Sequence, residues 1–294
     1  MVEISVDLDL CKKEGLCAMV CPRGIFRQEV KRTHPQIVDM ESCMGCGACV
    51  SICPGEAIIH SVYPAGTVTP IEPEILPTYD QVLELIRSRR SKREFRDKPV
   101  LQEDIMKVVE ATRFAPSEHN VQDTEVIVVQ DKKIIHEIAA LASGYYKKLV
   151  TTLSHPIGRF IFRLMFGKRS TDAVVDFMPE MKGVSDLFDE GEDYILRQAP
   201  VLMIFCADSV GGFPEVNAHL AVQNAILAAE ATGLACFFAG FVLRASRRVD
   251  EIGELVGLPD THKIYGILAL GYSRVKFRRW PERRLARVTW IGAK

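Results

Sequence analysis

The sequence predicts an α+β fold in two parts, a small cysteine-rich N-terminal domain and a larger domain of interspersed helices and strands. Three observations predict it. Seven of the nine cysteines fall between Cys11 and Cys53. A stretch punctuated by Pro64, Pro70, Pro73 and Pro77 follows, and it disfavours both helix and sheet. From Tyr79 onward the pattern changes to helical periodicity mixed with short apolar runs. The expected boundaries are therefore 1–62 for the first domain, 63–78 for a proline-rich linker and 79–294 for the second domain.

Within the first domain, Gly24–Val30 and Ala57–Val62 read as short strands between the cysteines. In the second, Tyr79–Arg90 and Gln102–Phe114 place apolar residues three and four apart, as amphipathic helices do. Val126–Val129, Val201–Phe205 and Ile264–Leu270 are apolar or β-branched runs and read as buried strands. Asn217–Thr232 reads as an apolar helix stopped by Gly233. No internal repeat is evident.

Composition limits the classes of function. The chain has 294 residues, 48% hydrophobic and 26% charged, long enough for a substantial core without covalent staples. The net charge of −1 gives no global attraction to nucleic acid or to an anionic membrane. No secretory signal opens the sequence, and no apolar run is long enough to span a bilayer, so a cytoplasmic protein is expected. In that setting clustered cysteines bind metal more often than they form disulfides.

The cysteine spacing is the most specific signal. Cys43-Met-Gly-Cys46-Gly-Ala-Cys49-Val-Ser-Ile-Cys53-Pro54 is C-x2-C-x2-C-x3-C-P, the run that holds an iron–sulfur cubane. Three closely spaced thiolates let one loop wrap a cluster, and Gly45 and Gly47 permit tight turns beside it. A zinc site fits this run less well. Upstream, Cys11-Lys-Lys-Glu14-Gly-Leu-Cys17-Ala-Met-Val-Cys21-Pro22 repeats the register, with Glu14 where the second cysteine would stand.

Both halves resemble bacterial-type two-cluster ferredoxins over roughly residues 3–62. That family's crossed ligand pattern implies one complete set, Cys43, Cys46, Cys49 and Cys21, for a [4Fe-4S] cluster. It leaves Cys11, Cys17 and Cys53 for a second cluster. Three thiolates suit [3Fe-4S]; a [4Fe-4S] cluster with Glu14 or an exogenous ligand at the fourth corner, or a lost cluster, stays open.

Four segments of the larger domain resemble the nitroreductase family, which builds an α+β fold around FMN and usually works as a homodimer. The first is Arg89-Arg90-Ser91-Lys92-Arg93, inside a run of seven basic side chains from Arg87 to Lys98. Alone, such a run is usually a solvated helix face. The resemblance implies that Arg89, Arg90, Ser91 and Arg93 contact FMN, where cations and hydroxyls suit a phosphate. The second is Ala115-Pro116-Ser117-Glu118-His119-Asn120-Val121-Gln122, implying Pro116 and Ser117 near the flavin and Asn120 on its pyrimidine edge. Asp123-Thr124 stands where many members have Pro-Trp.

The third is Gly233-Leu-Ala-Cys236-Phe-Phe-Ala-Gly240, implying that the Gly240 main chain approaches the reactive edge of the flavin. Cys206 and Cys236 read as small buried apolar residues. The fourth is Leu268-Ala-Leu-Gly271-Tyr272 and its basic tail, implying that Arg284, with Arg283 next in line, closes on the FMN phosphate. Residues 143–195 lack a family match. Their aromatic, basic stretch Tyr145–Arg169 is expected to form a lid over the substrate, with a packed surface helix and a membrane-surface helix as competing readings.

Fold and motifs together imply an FMN-dependent oxidoreductase with Fe–S clusters. It would pass single electrons from a low-potential donor protein through the clusters to FMN, which reduces a nitro compound, quinone or activated double bond. NAD(P)H stacks over FMN in the family without leaving a motif, so a reductase driven by NAD(P)H and exporting electrons is the second reading. An electron-transfer module of a larger complex is the third. No catalytic side chain is assigned, and His119 and His155 are given no role. No nucleic-acid module, membrane contact, Rossmann fingerprint or Walker loop is indicated.

Overall fold

The computed structural model of the chain describes residues 2–292. It divides into two compact units. One holds the residues up to Pro77 together with Pro116–Gln122; the other holds Thr78–Ala115 and the chain from Asp123 onward. The expected linker has little regular structure beyond one 3-10 turn at Pro73–Ile75. The excursion of Pro116–Gln122 into the first unit was not foreseen.

The N-terminal unit is built twice over. Strand β1 (Ile4–Val6) pairs antiparallel with β4 (Ile58–His60), opposing Ile4 to His60 and Val6 to Ile58. A smaller ribbon joins β2 (Phe26–Arg27) to β3 (Gln36–Ile37). Two five-residue helices, α1 (Leu16–Val20) and α2 (Ala48–Ile52), each follow a left-handed glycine, Gly15 or Gly47, and each end on an extended cysteine, Cys21 or Cys53. The repeated cysteine register thus becomes a repeated local fold. At Gly47 a Cβ would lie 3.0 Å from the Tyr63 ring, so space and φ +76° both require glycine there. Ile4, Ile25, Phe26, Val50 and Ile58 form the core with Cys17 and Cys49.

In the larger unit a four-stranded antiparallel sheet has the order β5-β6-β8-β7, with β5 Glu125–Val129, β6 Val201–Asp208, β7 Leu234–Phe238 and β8 His262–Tyr272. The three expected strands are present, each longer than its apolar run. Side chains alternate between two cores. Leu202, Ile204, Phe237, Ile267 and Ala269 face one side, against α5 (Lys132–Ser154) and α9 (Gly240–Ser246). Met203, Phe205, Leu268 and Leu270 face the other, against α4 (Gln102–Arg113) and α8 (Pro214–Ala231). Helices on both faces explain why β6 and β8 read as unbroken apolar runs rather than alternating ones.

The helices follow from local chemistry. Before α3 (Tyr79–Ser88), the Thr78 hydroxyl accepts from the Gln81 amide at 3.3 Å, and the Gln81 side chain accepts from the Thr78 amide at 2.8 Å. Helix α4 buries Ile105 and Val108, each worth about 1.5–3 kcal/mol. Helix α5 starts at Asp131, whose carboxylate caps the amides of Lys133 and Ile134. The stretch expected as a lid is helical: the end of α5, then α6 (Pro156–Asp176), broken at Gly167 (φ 78°, ψ 164°), then α7 (Met178–Asp189). On α6, Ile157, Phe160, Ile161, Leu164 and Met165 share one exposed face. Short α10 (Glu251–Leu255) precedes β8. Among the described residues no helix is long and apolar enough to cross a membrane.

Candidate cofactor sites

The cysteines of the N-terminal unit line two cavities. Cys21, Cys43, Cys46 and Cys49 surround one, together with Ile4, Ile25 and His60. Cys11, Cys17 and Cys53 surround the other, with Glu14 at its edge. Cys21 and Cys53 cross over because each lies in extended backbone just past its helix, which carries the thiol away from its own loop. Among the described residues no three His, Cys, Asp or Glu side chains converge on a point that a single metal ion would occupy. The sulfurs are spread around a volume instead.

Main-chain donors already point at these sulfurs. The amide of Ile25 donates to Cys21 Sγ at 3.4 Å, Gly45 to Cys43 Sγ at 3.4 Å, and Ala57 to Cys53 Sγ at 3.3 Å. Burial pushes the Cys49 thiol up to about 11, with Cys43 and Cys46 adding to the rise, and burial raises Cys17 as well. Ionising buried, crowded thiols is costly, and iron bonded to the sulfurs offsets that cost as it displaces the thiol protons. Soft donors, N–H···S bonds and an enclosed space together fit an iron–sulfur cluster at each cavity. Among the described residues, three thiols and no fourth line the second cavity, and Glu14 is exposed at the position where a fourth would stand.

Sequence reasoning missed His60. It is 2% exposed on β4, and strand alternation turns it inward beside Ile58. Its Nε2 lies 3.6 Å from Cys43 Sγ, and its Nδ1 accepts from the Val62 amide at 3.1 Å. Burial lowers its pKa.

The loop Pro116–Gln122 packs in this same unit. The Asn120 amide donates to the Gly45 carbonyl at 2.8 Å, and the Tyr63 hydroxyl donates to the same carbonyl at 2.5 Å. Ser117 Oγ accepts from the Gln122 amide at 3.0 Å. His119, Asn120 and Gln122 all have left-handed backbone, φ 47°, 58° and 50°, a strained run for side-chain-bearing residues. The amide of Asn120, the residue expected on a flavin edge, is engaged here on the loop between Cys43 and Cys46.

In the larger unit, the basic segment after α3 is fixed by main chain and by one ion pair. The Lys92 amide donates to the Cys236 carbonyl at 3.0 Å, and the Arg96 amide to Tyr272 at 2.8 Å. Lys92 Nζ bonds both oxygens of Glu230 at 2.8 and 2.9 Å, the two side chains being only 12% and 15% exposed. Lys92 is therefore the anchor, which leaves its neighbours free to face a cavity.

That cavity, about 790 Å³, is lined by Arg87, Arg89, Arg90, Ser91 and Arg283, with Phe237, Phe238 and Trp280 as apolar walls. The volume suits a cofactor. Arg87 lies 4.7 Å above the Trp280 ring. Arg90 Nη1 donates to the carbonyls of Arg87 and Arg89, while Nη2 is buried without a partner. A buried orphan donor among cations calls for an anion. Arg283 and Arg284 are both exposed, and of the two it is Arg283 that lines this cavity.

Phe237 and Phe238 also wall a second cavity of about 760 Å³, which holds Arg93 and Gly240. Arg93 sits 5.5 Å over Phe237. A Cβ added at Gly240 meets no heavy atom within 4 Å, and its φ is not left-handed. Neither the backbone nor the packing of the chain requires glycine there. Cys236 and Cys206 are buried, and burial pushes both thiols up to about 11. Arg87, Lys92, Phe237, Phe238 and Trp280 were given no role from sequence, although Arg87 and Lys92 lie in the basic run and Phe237 and Phe238 in the segment that ends at Gly240; nothing marked Trp280.

Comparison with known proteins agrees with both parts. The nitroreductase family pattern matches residues 86–272, and the 4Fe-4S dicluster domain pattern matches residues 3–54. A protein of Methanothermobacter thermautotrophicus named NADH dehydrogenase/NAD(P)H nitroreductase is 26% identical over 195 residues, 65% of this chain and 76% of that protein. The Bacillus subtilis protein named FMN reductase [NAD(P)H] is 40% identical, over only 65 residues, 22% of this chain and 26% of its own. A Bacteroides fragilis nitroreductase solved with bound FMN superposes with a TM-score of 0.53 at 20% identity, covering 73% of this chain and 99% of that one. With a four-stranded antiparallel sheet covered on both faces and a match to most of its larger unit, the chain belongs to the nitroreductase family of oxidoreductases. Its N-terminal part is a ferredoxin-type iron–sulfur domain.

Proposed function

We propose that the protein is an iron–sulfur flavoprotein that draws electrons singly from a low-potential donor protein and delivers them to a small organic acceptor. A nitro compound, a quinone and an activated double bond are the acceptor classes. The observation that carries the proposal is the presence in one chain of two cysteine-lined cavities and a cation-rich cavity on a nitroreductase fold. Iron–sulfur clusters exchange one electron at a time, and FMN accepts one or two and supplies a hydride.

The chain's own residues hold these groups. Cys21, Cys43, Cys46 and Cys49 take a [4Fe-4S] cluster, and Cys11, Cys17 and Cys53 a second cluster of [3Fe-4S] type or with a non-cysteine fourth ligand. Arg89, Arg90, Ser91 and Arg283 bind the phosphate of FMN. Phe237 and Phe238 exclude water along its length, and Arg93 and Gly240 meet the ring. Asn120 is assigned to the cluster loop. Like other members of the family, the protein would act as a homodimer.

The test supplies reduced methyl viologen anaerobically with a nitroaromatic acceptor. Wild type turns over, and Cys46→Ala loses most of that turnover. Equal turnover by Cys46→Ala would contradict entry through the clusters. The names of its relatives favour a second reading, in which NAD(P)H reduces the flavin and electrons leave through the clusters. Fast flavin bleaching by NAD(P)H, with cluster reduction following, would select it. An absence of turnover with every small acceptor would leave an electron carrier.

A further inference from the structure

We propose that His60 sets the reduction potential of the cluster in the Cys21, Cys43, Cys46 and Cys49 cavity by donating its Nε2–H to Cys43 Sγ. The inference rests on the reading of that cavity as a cluster site, and it goes beyond the identity of the ligands.

The tautomer follows from geometry. The Val62 amide points at His60 Nδ1 from 3.1 Å, so that nitrogen is an acceptor and carries no proton. A neutral imidazole has one N–H, which must then be on Nε2. Nε2 lies 3.6 Å from Cys43 Sγ, a normal reach for a donor to the large, diffuse sulfur. The ring cannot turn away freely. It is 2% exposed, opposite Ile4 in the β1–β4 ladder, and tilted against Tyr63 with centroids 5.3 Å apart.

Direction follows from charge. Reduction adds one negative charge, shared among irons, sulfides and ligating thiolates. A fixed N–H dipole aimed at one thiolate stabilises the more negative state and so raises the potential. Cys43 already accepts from the Gly45 amide at 3.4 Å, and His60 adds a side-chain donor that a mutation can remove without touching the main chain. Among the described residues, no histidine lines the cavity of Cys11, Cys17 and Cys53. The two clusters therefore differ in both ligand set and side-chain donors, which separates their potentials.

The experiment is an EPR-monitored potentiometric titration of anaerobically purified wild type, His60→Phe and His60→Gln, each first assayed for iron and sulfide. Phenylalanine keeps the bulk of the ring and removes the donor. Glutamine offers an N–H of similar reach. At the potential that half-reduces the wild-type cluster, the ratio of reduced to oxidised cluster in His60→Phe should fall several-fold, up to about tenfold, or about 59 mV for a one-electron couple. His60→Gln should recover part of that shift, and the second cluster should titrate as in wild type. An unchanged potential in a fully loaded His60→Phe protein would overturn the proposal while leaving the cluster reading intact. An equal shift of both clusters would also overturn it, since that marks a general loosening of the domain. Wild type without a cluster signal would overturn the cluster reading and this proposal together.

Discussion

Replacing Gly240 with alanine separates a glycine needed for folding from one needed for a ligand. The structure leaves the added methyl in open space, with no heavy atom within 4 Å, and the backbone there is one that alanine adopts without strain. Gly240 is the first residue of α9, so alanine should leave the fold untouched or stabilise it by up to about 1 kcal/mol. Gly240 does, however, line the cavity that holds Arg93. If the flavin ring lies against this main chain, the methyl forces it outward and weakens a backbone hydrogen bond. The combined cost is about 1–3 kcal/mol, a rise in Kd of roughly 5- to 150-fold. The assay is fluorescence titration of FMN into flavin-stripped Gly240→Ala and wild type, beside thermal unfolding of both flavin-free proteins. An unchanged Kd would refute the placement of the ring at Gly240. A fall in the Tm of the flavin-free variant would refute the claim that the chain itself does not need glycine there.

Three other outcomes follow from the same geometry. Arg283→Ala should weaken FMN binding about tenfold or more, and Arg284→Ala should leave it near wild type, because only Arg283 lines the cavity wall; equilibrium dialysis distinguishes them. Glu230→Gln should destabilise the larger unit by about 1–3 kcal/mol in a denaturant titration, since Lys92 would be left mostly buried beside a neutral amide and would release the basic segment. Cys206 and Cys236, buried and with thiols raised to about 11, should resist iodoacetamide in the native protein at pH 8, where their thiolate fraction is small, and should react on unfolding, as read by mass spectrometry. Both should gain reactivity only as the pH approaches that value.

What the sequence revealed depended on how far each signal acts along the chain. The cysteine spacing is a local code and marked all seven candidate ligands, while their division into two crossed sets was implied by the resemblance to two-cluster ferredoxins. The strands around Val201 and Ile264 were equally plain, because a sheet covered on both faces leaves unbroken apolar runs. Arg89, Arg90 and Ser91 were singled out through a contiguous motif, and all three line one cavity. Arg87 and Trp280 meet only in space, 193 positions apart in sequence, and no short window links them. The choice between Arg283 and Arg284 turned on which way an irregular tail points, and periodicity is silent in such a segment. His60 escaped notice because nothing beside it in sequence marks it; its role comes from the β1–β4 pairing and from Val62 two residues on. Asn120 was read from a family loop, and its place on Gly45 depends on a left-handed backbone run that no residue type there announces.

The most direct test of the whole account is to purify the chain anaerobically and count iron, sulfide and FMN per polypeptide, with EPR before and after reduction. The account predicts about seven or eight irons, a matching amount of sulfide and about one FMN. An oxidised-state [3Fe-4S] signal would accompany the lower iron count. Protein lacking FMN, or holding about one zinc in place of the irons, would contradict it.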